Sequence, residues 1–458
     1  MEKEHPLIAA FRKFSPTSEK YYARASQVFP GGDTRSSAHY APYPLVMERG
    51  EGCMLTDADG NQLLDFMNNF TSLIHGHAYG PVVEATQKQA ALGSAYAAPS
   101  LSQVELAEMI VERVPSVEQM RFTSSGTEGT QMAIRCARAA TGRQKIMKME
   151  GGYHGSYELA EVSLVPRPNE CGPLEAPTSL AVDASFPDSV LSDTIICPYN
   201  QIELGRALIR EHASEIAAVI VEPVLGSMGM VPGTTGFLEM LREETQANGI
   251  VLIFDEVITL RLSEGGAQSI HGVTPDLTCM GKIIGGGLPV GALGGRRELM
   301  QLFSPHQEQP VMHASTFSGN ALTMAAGYAA MVNYHQADAT RLNELGERLR
   351  LGFNAAFKAA GIRGQAIGQG SLTHVHLTDQ ALPDGRASIA GVVAAAHIPR
   401  LLHLTMLRQG VLSATRLMYC ISTTMGEAEV DKAIAAMQAS LDELRPYIEA
   451  ERPNLISD

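Results

Sequence analysis

The strongest constraint on the fold is a rhythm in the middle of the chain. Segments with the periodicity of amphipathic helices alternate there with short, continuous apolar runs, among them KIMKM, AAVIVEPV and IVLIFDEV. Continuous apolar runs between helices are typical of buried parallel strands, so the rhythm predicts a mainly parallel sheet that helices cover on both faces. In such folds, ligands bind at the carboxyl ends of the strands.

Three further regions depart from this rhythm. The stretch GCMLTDADGNQLLDF alternates apolar and polar residues around an Asp-Gly turn and predicts a β-hairpin. Residues 156–192 are rich in Pro, Ser and Ala and predict a long loop. Beyond about residue 325, helical patterns are followed by the strand-like LTHVHLT and RLMYCISTT and by a final helix from Glu427, which indicates a smaller α+β domain.

Composition excludes several classes of protein. Among 458 residues, 49 Asp and Glu outnumber 35 Lys and Arg, and no basic block occurs, so we expect no nucleic-acid partner. The N-terminal stretch is charged from its second residue, and the chain has no run of about eighteen apolar residues. We therefore expect neither a secretory signal nor a membrane span, and a cytoplasmic location. The six cysteines form no CxxC pair, which favours reduced thiols over disulfides or a zinc site.

The stretch TCMGKIIGGGLPVG contains an isolated lysine. Lys282 is the only formally charged residue between Leu277 and Leu293, and it lies among apolar residues and glycines. A lysine amine in an apolar site loses its proton more readily, which allows the amine to form an imine with an aldehyde. We therefore interpret Lys282 as a reactive amine.

An acidic pair ends the apolar run IVLIFDEV. A buried strand would deliver Asp255 and Glu256 to the carboxyl edge of the sheet, where a carboxylate needs a cation or strong donors. Such pairs are common at the start of loops and need no catalytic role. With Lys282 nearby in space, however, Asp255 is a candidate partner for a cationic ring nitrogen.

A turn of small residues, SSGT at 124–127, precedes a predicted helix. Its backbone N–H groups and the helix dipole favour an anion such as phosphate, although Ser or Thr also caps helices without any ligand. Two other phosphate motifs do not fit. A Walker loop would need Gly at Asp276 and Ser or Thr at Ile283, and residues 285–291 lack GxGxxG spacing.

Two aromatic and histidine-containing stretches complete the candidate site residues. In EGGYHGSY, Tyr153 and His154 follow a predicted strand, and a ring there could stack on a flat cofactor or simply pack locally. In IHGHAYG, His75 and His77 have no third ligand at a recognised spacing, so we interpret them as part of a turn and predict no metal site.

The lysine amine, the carboxylate and the phosphate turn together select one cofactor. Pyridoxal 5′-phosphate (PLP) carries an aldehyde, a pyridine nitrogen and a phosphate, and these match the three groups in turn. Lys282 would form a Schiff base with the aldehyde and later move a proton as a base.

Six motifs occur in the order of a known family: SSGTEGTQMAIRCAR, GGYHGSY, AAVIVEPVLGSMGMVP, IVLIFDEVITLRL, PDLTCMGKIIGGGLPVGALGGR and ASTFSGNALTMAAG. With them the chain resembles the class III aminotransferases over most of its length. Within that class it is similar to the branch that contains glutamate-1-semialdehyde 2,1-aminomutase and the β-phenylalanine aminotransferases.

The resemblance implies an α/β fold, that of the fold type I PLP-dependent transferases. Its large domain would contain a mainly parallel seven-stranded sheet, and a smaller α+β domain would be built from N- and C-terminal segments. We assign the N-terminal segment to residues 1–75, the large PLP-binding domain to 76–330 and the C-terminal segment to 331–458. A homodimer with shared active sites is also implied.

The resemblance also implies residue roles. By their motifs, Lys282 is the Schiff-base lysine and Asp255 the partner of the pyridine nitrogen, and these are the expected catalytic residues. The other implied cofactor-binding residues are Ser125, Gly126 and Thr127 for the phosphate, Tyr153 and Val257 for the two ring faces, Glu222 for the hydroxyl side, and Thr316 for the phosphate of the neighbouring subunit.

The segment PGGDTRSSAHYAPYPL is closer to the β-phenylalanine branch than to the aminomutase. Arg35 in this segment and Arg416 in VLSATRLMY match arginines that bind substrate carboxylates in that branch, a role that suits the guanidinium fork. Each could instead form an interdomain salt bridge. Asn68, Asn69 and His75 depart from the pattern of the relatives in the side-chain pocket.

The implied reaction transfers the amino group of a β-amino acid, aromatic and β-phenylalanine-like, or of a related carboxylated amine, to 2-oxoglutarate or pyruvate. The alternative is intramolecular amino transfer of the glutamate-1-semialdehyde aminomutase type. A non-catalytic ligand sensor is a third reading, because aminotransferase-like domains occur fused to DNA-binding modules. The acidic chain without a helix-turn-helix extension argues against it.

Overall fold

The structure is a computed structural model that describes residues 4–457. Its contacts divide these residues into two compact units. Unit 1 contains the described residues up to Tyr79, then Arg341–Ala381, and those from Ala390 onward. Unit 2 contains Gly80–Thr340 and the short segment Leu382–Ile389. Each unit is described by itself below.

Strands and helices alternate through most of the chain. The strands are β1 Met47–Glu51, β2 Met54–Asp57, β3 Gln62–Asp65, β4 Gln119–Thr123, β5 Lys145–Met149, β6 Thr194–Cys197, β7 Ile216–Val221, β8 Val224–Leu225, β9 Val231–Pro232, β10 Val251–Asp255, β11 Leu277–Gly281, β12 Gly291–Gly295, β13 Gln365–Gln369, β14 Leu372–His376, β15 Val411–Leu412 and β16 Met418–Cys420.

The α-helices are α1 Pro6–Phe14, α2 Pro16–Ala25, α3 Asn68–Thr71, α4 Gly80–Leu92, α5 Leu101–Arg113, α6 Gly126–Thr141, α7 Glu158–Glu161, α8 Asp188–Ser192, α9 Ile202–Glu211, α10 Thr235–Ala247, α11 Ala267–His271, α12 Arg297–Met300, α13 Ala321–Met331, α14 Gln336–Ala360, α15 Gly385–Ala395, α16 Ile398–Arg408 and α17 Glu427–Glu451. Short 3₁₀ helices are Pro30–Gly32, Ser36–Ala38, Thr259–Leu262, Lys282–Gly285, Gln301–Phe303 and Pro453–Leu455.

Unit 2 is built on a seven-stranded sheet with the order β4-β12-β11-β10-β7-β5-β6. The five strands from β11 to β6 are parallel to one another, whereas β12 is antiparallel to both of its neighbours. This sheet confirms the predicted α/β fold with a mainly parallel seven-stranded sheet.

The parallel strands are buried on both faces. All six residues of β7 and all five of β10 are buried, and successive side chains of a strand point to opposite faces, so both faces of the sheet are covered. Helix α6 supplies part of this cover, because its apolar residues share a core cluster with Ile220, Ile253 and Leu277. The continuous apolar runs in the sequence therefore correspond to strands in the middle of the sheet.

Unit 1 contains two smaller sheets. The predicted hairpin is present as β2 and β3, which pair antiparallel and belong to the sheet β1-β2-β3-β15. The strand-like stretches LTHVHLT and RLMYCISTT form β14 and β16, which pair antiparallel beside β13. Helix α17 begins at Glu427, as the sequence predicts.

Two features of unit 2 differ from the simple pattern expected from the sequence. The long predicted loop, residues 156–192, contains the short helices α7 and α8. The segment Leu382–Ile389 belongs to unit 2 although its neighbours in sequence belong to unit 1. It is held there by Arg386, which binds both carboxylate oxygens of Glu150 at 2.5 and 3.0 Å.

Within residues 4–457, no single helix has both the length and the apolar composition needed to cross a membrane. The pair α15 and α16 reaches these limits only when both helices are counted together, and the two are bent by 80° against each other.

Candidate active site

The candidate site lies at the carboxyl edge of the seven-stranded sheet. Strands β5, β7, β10 and β11 are parallel, and β4 runs in their direction because two antiparallel pairings separate it from β11. The residues that follow these strands therefore meet at one edge. They surround a cavity of about 210 Å³. Its lining includes Gly126, Thr127, Tyr153, His154, Glu222, Asp255, Val257 and Lys282.

Lys282 enters the cavity wall through a constrained backbone. It follows β11 directly and begins the 3₁₀ helix Lys282–Gly285 with a φ of 50°. A non-glycine residue with this left-handed backbone stores strain, and such residues cluster at functional sites. The side chain is half-buried. The turn thus directs the chain away from the strand immediately at the lysine.

Asp255 ends β10 and is 5% exposed. Its Oδ2 lies 2.9 Å from Nδ1 of His154, and its Oδ1 accepts a hydrogen bond from the Val257 N–H at 3.1 Å. Burial lowers the pKa of His154, against the raising effect of Asp255, so the neutral imidazole donates its Nδ1 hydrogen to the carboxylate. Buried Nε2 of His154 has no hydrogen-bond partner among the described residues.

Glu222 is a second buried carboxylate at the same edge. It follows β7, is 4% exposed, and accepts hydrogen bonds from the N–H groups of Tyr153 at 2.8 Å and Gly226 at 3.1 Å. Burial and the charge of Asp255 raise the pKa of Glu222 to about 8, although the two N–H groups and Lys148 act in the opposite direction. A carboxyl group of this kind changes its charge near neutral pH.

The turn at residues 124–127 begins α6, a helix of 16 residues. The Ser125 side chain accepts a hydrogen bond from the N–H of Glu128 at 3.2 Å, while the Glu128 side chain accepts one from Ser124 N–H at 2.9 Å. Neighbouring backbone also approaches closely, because a Cβ added to Gly155 would lie 2.7 Å from Thr127 Cα. The capped N-terminus of α6 therefore lies beside the cavity, and a helix N-terminus favours an anion.

Val257 and Tyr153 contribute two contrasting surfaces to the cavity. Val257 packs between two glycines, because a Cβ added to Gly126 or Gly281 would lie 3.2 or 3.4 Å from its methyl groups. Tyr153 is 38% exposed, and its hydroxyl lies 3.3 Å from Oγ of Ser156. The valine is thus fixed by its neighbours, whereas the tyrosine side chain is partly exposed.

Glu256, the neighbour of Asp255, has a different environment. Its carboxylate accepts hydrogen bonds from Thr259 Oγ1, Ala267 N–H, and both the N–H and Nε2 of Gln268, at 2.6 to 3.1 Å. It does not line the cavity described above. Of the acidic pair in the sequence, Asp255 is therefore the member that faces the candidate site.

Thr316 lies in an exposed segment of unit 2. The preceding residue, Ser315, places its Oγ 3.2 Å from Oγ of Ser124. The segment that contains Thr316 is therefore adjacent to the turn at residues 124–127 of its own chain.

The two arginines singled out in the sequence belong to unit 1. Arg35 donates from Nη1 to Oδ1 of Asn69 at 3.1 Å, and its guanidinium carbon lies 5.9 Å from the centre of the Phe70 ring. Arg416 is exposed, and its charge contributes, after burial and His376, to lowering the pKa of His374 well below its ordinary value.

The two histidines of IHGHAYG also have local partners in unit 1. His77 Nε2 lies 2.7 Å from Oδ2 of Asp65, whereas His75 Nδ1 lies 2.8 Å from Thr423 Oγ1 and its ring stacks on Tyr79. In the part of the chain that the structure describes, no group of three or more His, Cys, Asp or Glu residues is arranged to hold a metal ion.

Comparison with known families identifies the class of protein to which these residues belong. Residues 35–441 match the family model Aminotransferase class-III. The chain belongs to the class III aminotransferases. Since the match spans both units, it covers the cavity in unit 2 together with the arginines of unit 1.

Relatives of this aminotransferase include two kinds of enzyme. It is 49% identical over 318 residues to a glutamate-1-semialdehyde 2,1-aminomutase of Desulfotalea psychrophila, which covers 69% of this chain and 72% of the relative. It is 36% identical over 438 residues to a β-phenylalanine transaminase of Variovorax paradoxus, which covers 95% of each. A crystal structure of an ω-transaminase from Sphaerobacter thermophilus matches with a TM-score of 0.89 and 45% identity, covering 94% of this chain and 98% of that one.

The cofactor of this aminotransferase is PLP, as in the PLP-bound transaminase whose structure is 35% identical to it. The cavity fits that group: a lysine amine, a buried carboxylate and a helix N-terminus suit its aldehyde, ring nitrogen and phosphate. Gly126 also fits, because its missing Cβ leaves Val257 and the backbone of the turn in close contact. The chain is therefore a PLP-dependent enzyme.

Sequence reasoning missed two buried residues, one in the cavity wall and one in the strand that leads to it. The stretch EGGYHGSY gives His154 no role of its own, because its contact with Asp255 joins positions 101 residues apart and no local pattern reveals it. Lys148 lies within the run KIMKM and is 0% exposed. A lysine inside a continuous apolar run is a signal that the sequence does contain.

Proposed function

We propose that this enzyme transfers the amino group of a β-amino acid, aromatic and β-phenylalanine-like, or of a related carboxylated amine, to 2-oxoglutarate or pyruvate. The observation that carries this proposal is that Lys282, Asp255 and Glu222 line the same cavity. The 36% identity to a β-phenylalanine transaminase over 95% of the chain supports the choice of donor.

Lys282 is the proposed catalytic amine. When bound, PLP supplies an aldehyde that condenses with amines and a ring that accepts the electron pair left after a proton is removed. Lys282 would hold the aldehyde covalently until a substrate amine displaces it. Its released amine would then move a proton at the reacting carbon of the substrate.

The other cavity residues would bind and orient the cofactor. Asp255 would keep the ring nitrogen protonated, and the His154 hydrogen bond would hold this carboxylate in place. The proposed contacts for the rest of the cofactor are Ser125, Gly126 and Thr127 at the phosphate, Val257 and Tyr153 at the two ring faces, and Glu222 at the hydroxyl side.

We also propose a homodimer in which Thr316 binds the phosphate of the partner subunit. Large apolar side chains in unit 2 are exposed around this segment: Met312 is 65% and Phe317 61% exposed. Leu101 and Val104, in the helix against which the segment packs, are 73% and 46% exposed. Such clusters are typical of subunit interfaces.

We also propose a cytoplasmic location. The free cysteines of the described residues fit the reducing conditions there.

Arg35 and Arg416 are the proposed ligands of the substrate carboxylates. A guanidinium binds both oxygens of a carboxylate through two parallel hydrogen bonds. In unit 1, Arg35 is paired with an amide oxygen rather than with a carboxylate, so a substrate carboxylate would be the stronger partner.

An aminomutase is the second candidate function, because a relative of that name is 49% identical over 318 residues. It would move the amino group within one molecule, and so it would need no keto acid.

One set of assays separates these functions. The PLP-loaded enzyme is mixed with each enantiomer of β-phenylalanine or with glutamate-1-semialdehyde, in the presence of 2-oxoglutarate, pyruvate or no keto acid. A transaminase turns over only with a keto acid and otherwise stops after one equivalent of amine. Sustained turnover of glutamate-1-semialdehyde without a keto acid would establish the aminomutase. Lack of reaction with every amine would contradict both functions.

A further inference from the structure

Lys148 lies in the strand next to the one that leads to Glu222. In the parallel pair of β5 and β7, Lys148 is opposite Ile220, and Glu222 follows two residues later. Glu222 directly follows the last residue of β7, and continuing the alternation of that strand would place its side chain on the same side as Ile220, diagonal to Lys148. Lys148 is 0% exposed and its Nζ donates to the carbonyl of Val162 at 2.6 Å. It contributes no atom to the cavity wall described above.

A buried ammonium requires negative charge nearby, because burial without a partner is strongly unfavourable. Three carboxylates act on Lys148: Glu222, Glu150 and Glu161. Glu150 is already paired with Arg386, and Glu161 is partly exposed to solvent. Glu222 is buried, as Glu150 is, but unlike Glu150 it takes part in no ion pair within 4.0 Å among the described residues. Lys148 is therefore a buried group whose positive charge acts on Glu222.

We propose that Lys148 is a positioning residue whose charge makes the carboxyl group of Glu222 easier to ionise. This inference rests on the proposed function, in which Glu222 lies on the side of the PLP ring that carries the hydroxyl group. Lys148 would thereby influence the charge beside the cofactor on that side without touching the cofactor itself.

The electrostatics of the two residues are reciprocal. The charge of Lys148 lowers the pKa of Glu222 against burial, which together with Asp255 raises it to about 8. Burial lowers the pKa of Lys148 to about 7, against the charge of Glu222, which raises it. Each residue therefore favours the charged form of the other near neutral pH. The remaining charged or titratable groups that act on the pair are Asp255, Glu150, Glu161, His154 and Tyr199.

Lys148 also has a structural bond that the test must separate from its charge. Its bond to the Val162 carbonyl lies beside another link to the same loop, in which the Gly151 N–H donates to the Ser163 carbonyl at 2.9 Å. Lys148→Gln removes the charge but keeps a donor for Val162. Lys148→Met removes both.

The test uses Lys148→Gln, Lys148→Met, Glu222→Gln and the double variant Lys148→Gln/Glu222→Gln. In the cofactor-free protein, ¹³C NMR of the Glu222 carboxyl group gives its titration midpoint. In the PLP-loaded protein, the pH dependence of the cofactor absorbance reports the charge beside it. We expect both Lys148 variants to raise the Glu222 midpoint by about one pH unit or more. In the double variant, the absorbance titration should match that of Glu222→Gln alone.

The outcomes separate this inference from the proposed function. An unchanged Glu222 midpoint in Lys148→Gln, or a change in Lys148→Met alone, would overturn the charge role and leave only the bond to the loop. An added absorbance shift in the double variant would also overturn it, because Lys148 would then act by another route. If Glu222→Gln leaves the absorbance titration unchanged, the placement of Glu222 beside the cofactor fails, while the NMR midpoint still tests Lys148.

Discussion

Asp255 and Glu256 are adjacent in sequence and buried at the same edge of the sheet, yet their surroundings are opposite. Glu256 receives four hydrogen bonds from residues 259–268, so all the acceptor positions of an ionised carboxylate are used. Asp255 receives two, from His154 and from the Val257 N–H, and it faces a cavity. The difference teaches that the number of donors supplied by the protein separates a structural carboxylate from one that can bind a ligand.

The largest effect is expected at Lys282, which lines the same cavity as Asp255. Lys282→Ala removes the amine that holds the aldehyde and moves the proton, so kcat for amine donors should fall at least about 10³-fold. Stopped assays with each donor and a keto acid measure this loss. The exposed Lys432 offers a matched control, since Lys432→Ala should retain full activity. Activity of Lys282→Ala within tenfold of the parent would remove the proposed mechanism.

Asp255→Asn directly tests the carboxylate that lines the cavity. It keeps the size of the side chain but loses the charge opposite the ring nitrogen, so kcat/KM should fall about 10²- to 10³-fold. Kinetics at saturating PLP measure this loss, and urea unfolding of the same variant shows whether the fold is retained. An unchanged kcat/KM would mean that Asp255 is structural, like its neighbour.

Glu256→Gln should show the opposite pattern. One of the four donors would then face an amide N–H instead of a carboxylate oxygen, so the free energy of unfolding should fall by about 1–3 kcal/mol. The kcat/KM of the folded protein should stay close to that of the parent. Urea unfolding and kinetics on the same sample check both statements. A loss of activity at unchanged stability would break the comparison between the two carboxylates.

Much of this comparison is accessible from the sequence, but not all of it. Continuous apolar runs predict the parallel strands, and the end of one such run predicts that Asp255 lies at the carboxyl edge. The same pattern treats Glu256 alike, because the donors that surround Glu256 come from the turn and helix at residues 259–268, whose path the strand pattern does not define. Only the folded chain distinguishes the two carboxylates.

Long-range contacts explain what else sequence reasoning missed. His154 follows β5, and Asp255 ends β10. The two residues meet because a single strand, β7, separates β5 from β10 in the sheet, and local periodicity does not encode this order. The inclusion of Leu382–Ile389 in unit 2 depends on the ion pair between Arg386 and Glu150, which are 236 residues apart. By contrast, Lys282 was recognisable from composition alone, because it is an isolated charge in an apolar stretch.

His154 gives a finer version of the comparison, because it is one of two donors to Asp255 among residues 4–457. His154→Leu removes this donor, and we expect kcat/KM to fall about tenfold, equivalent to about 1.4 kcal/mol. His154→Asn can still donate a hydrogen bond and should recover part of the loss. The pH dependence of the cofactor absorbance, measured for both variants, should shift more in the leucine variant. Equal shifts would show that the hydrogen bond is not the cause.

Glu222 should change how stability depends on pH, an effect that does not appear at a single pH value. Its pKa is raised to about 8 when folded, from an ordinary value of 4.5, so the folded state binds more protons than the unfolded state and stability falls as pH rises above 4.5. Above about pH 7, the lowered pKa of Lys148 acts in the opposite direction. Glu222→Gln should therefore reduce the fall in unfolding free energy between pH 5 and 7 by about 2–3 kcal/mol. Urea unfolding of the cofactor-free protein at both pH values measures it, and an unchanged slope would contradict the raised pKa.

The measurement that tests the proposed site most directly is the chemical position of the bound cofactor. Borohydride reduction of the PLP-loaded enzyme fixes the bond between the cofactor and its lysine, and peptide mass mapping then identifies the modified residue. We predict one modified lysine per chain, Lys282, at the cavity that Asp255 also lines. Modification of Lys148 or of a surface lysine, with Lys282 unmodified, would contradict the assignment of this cavity as the active site.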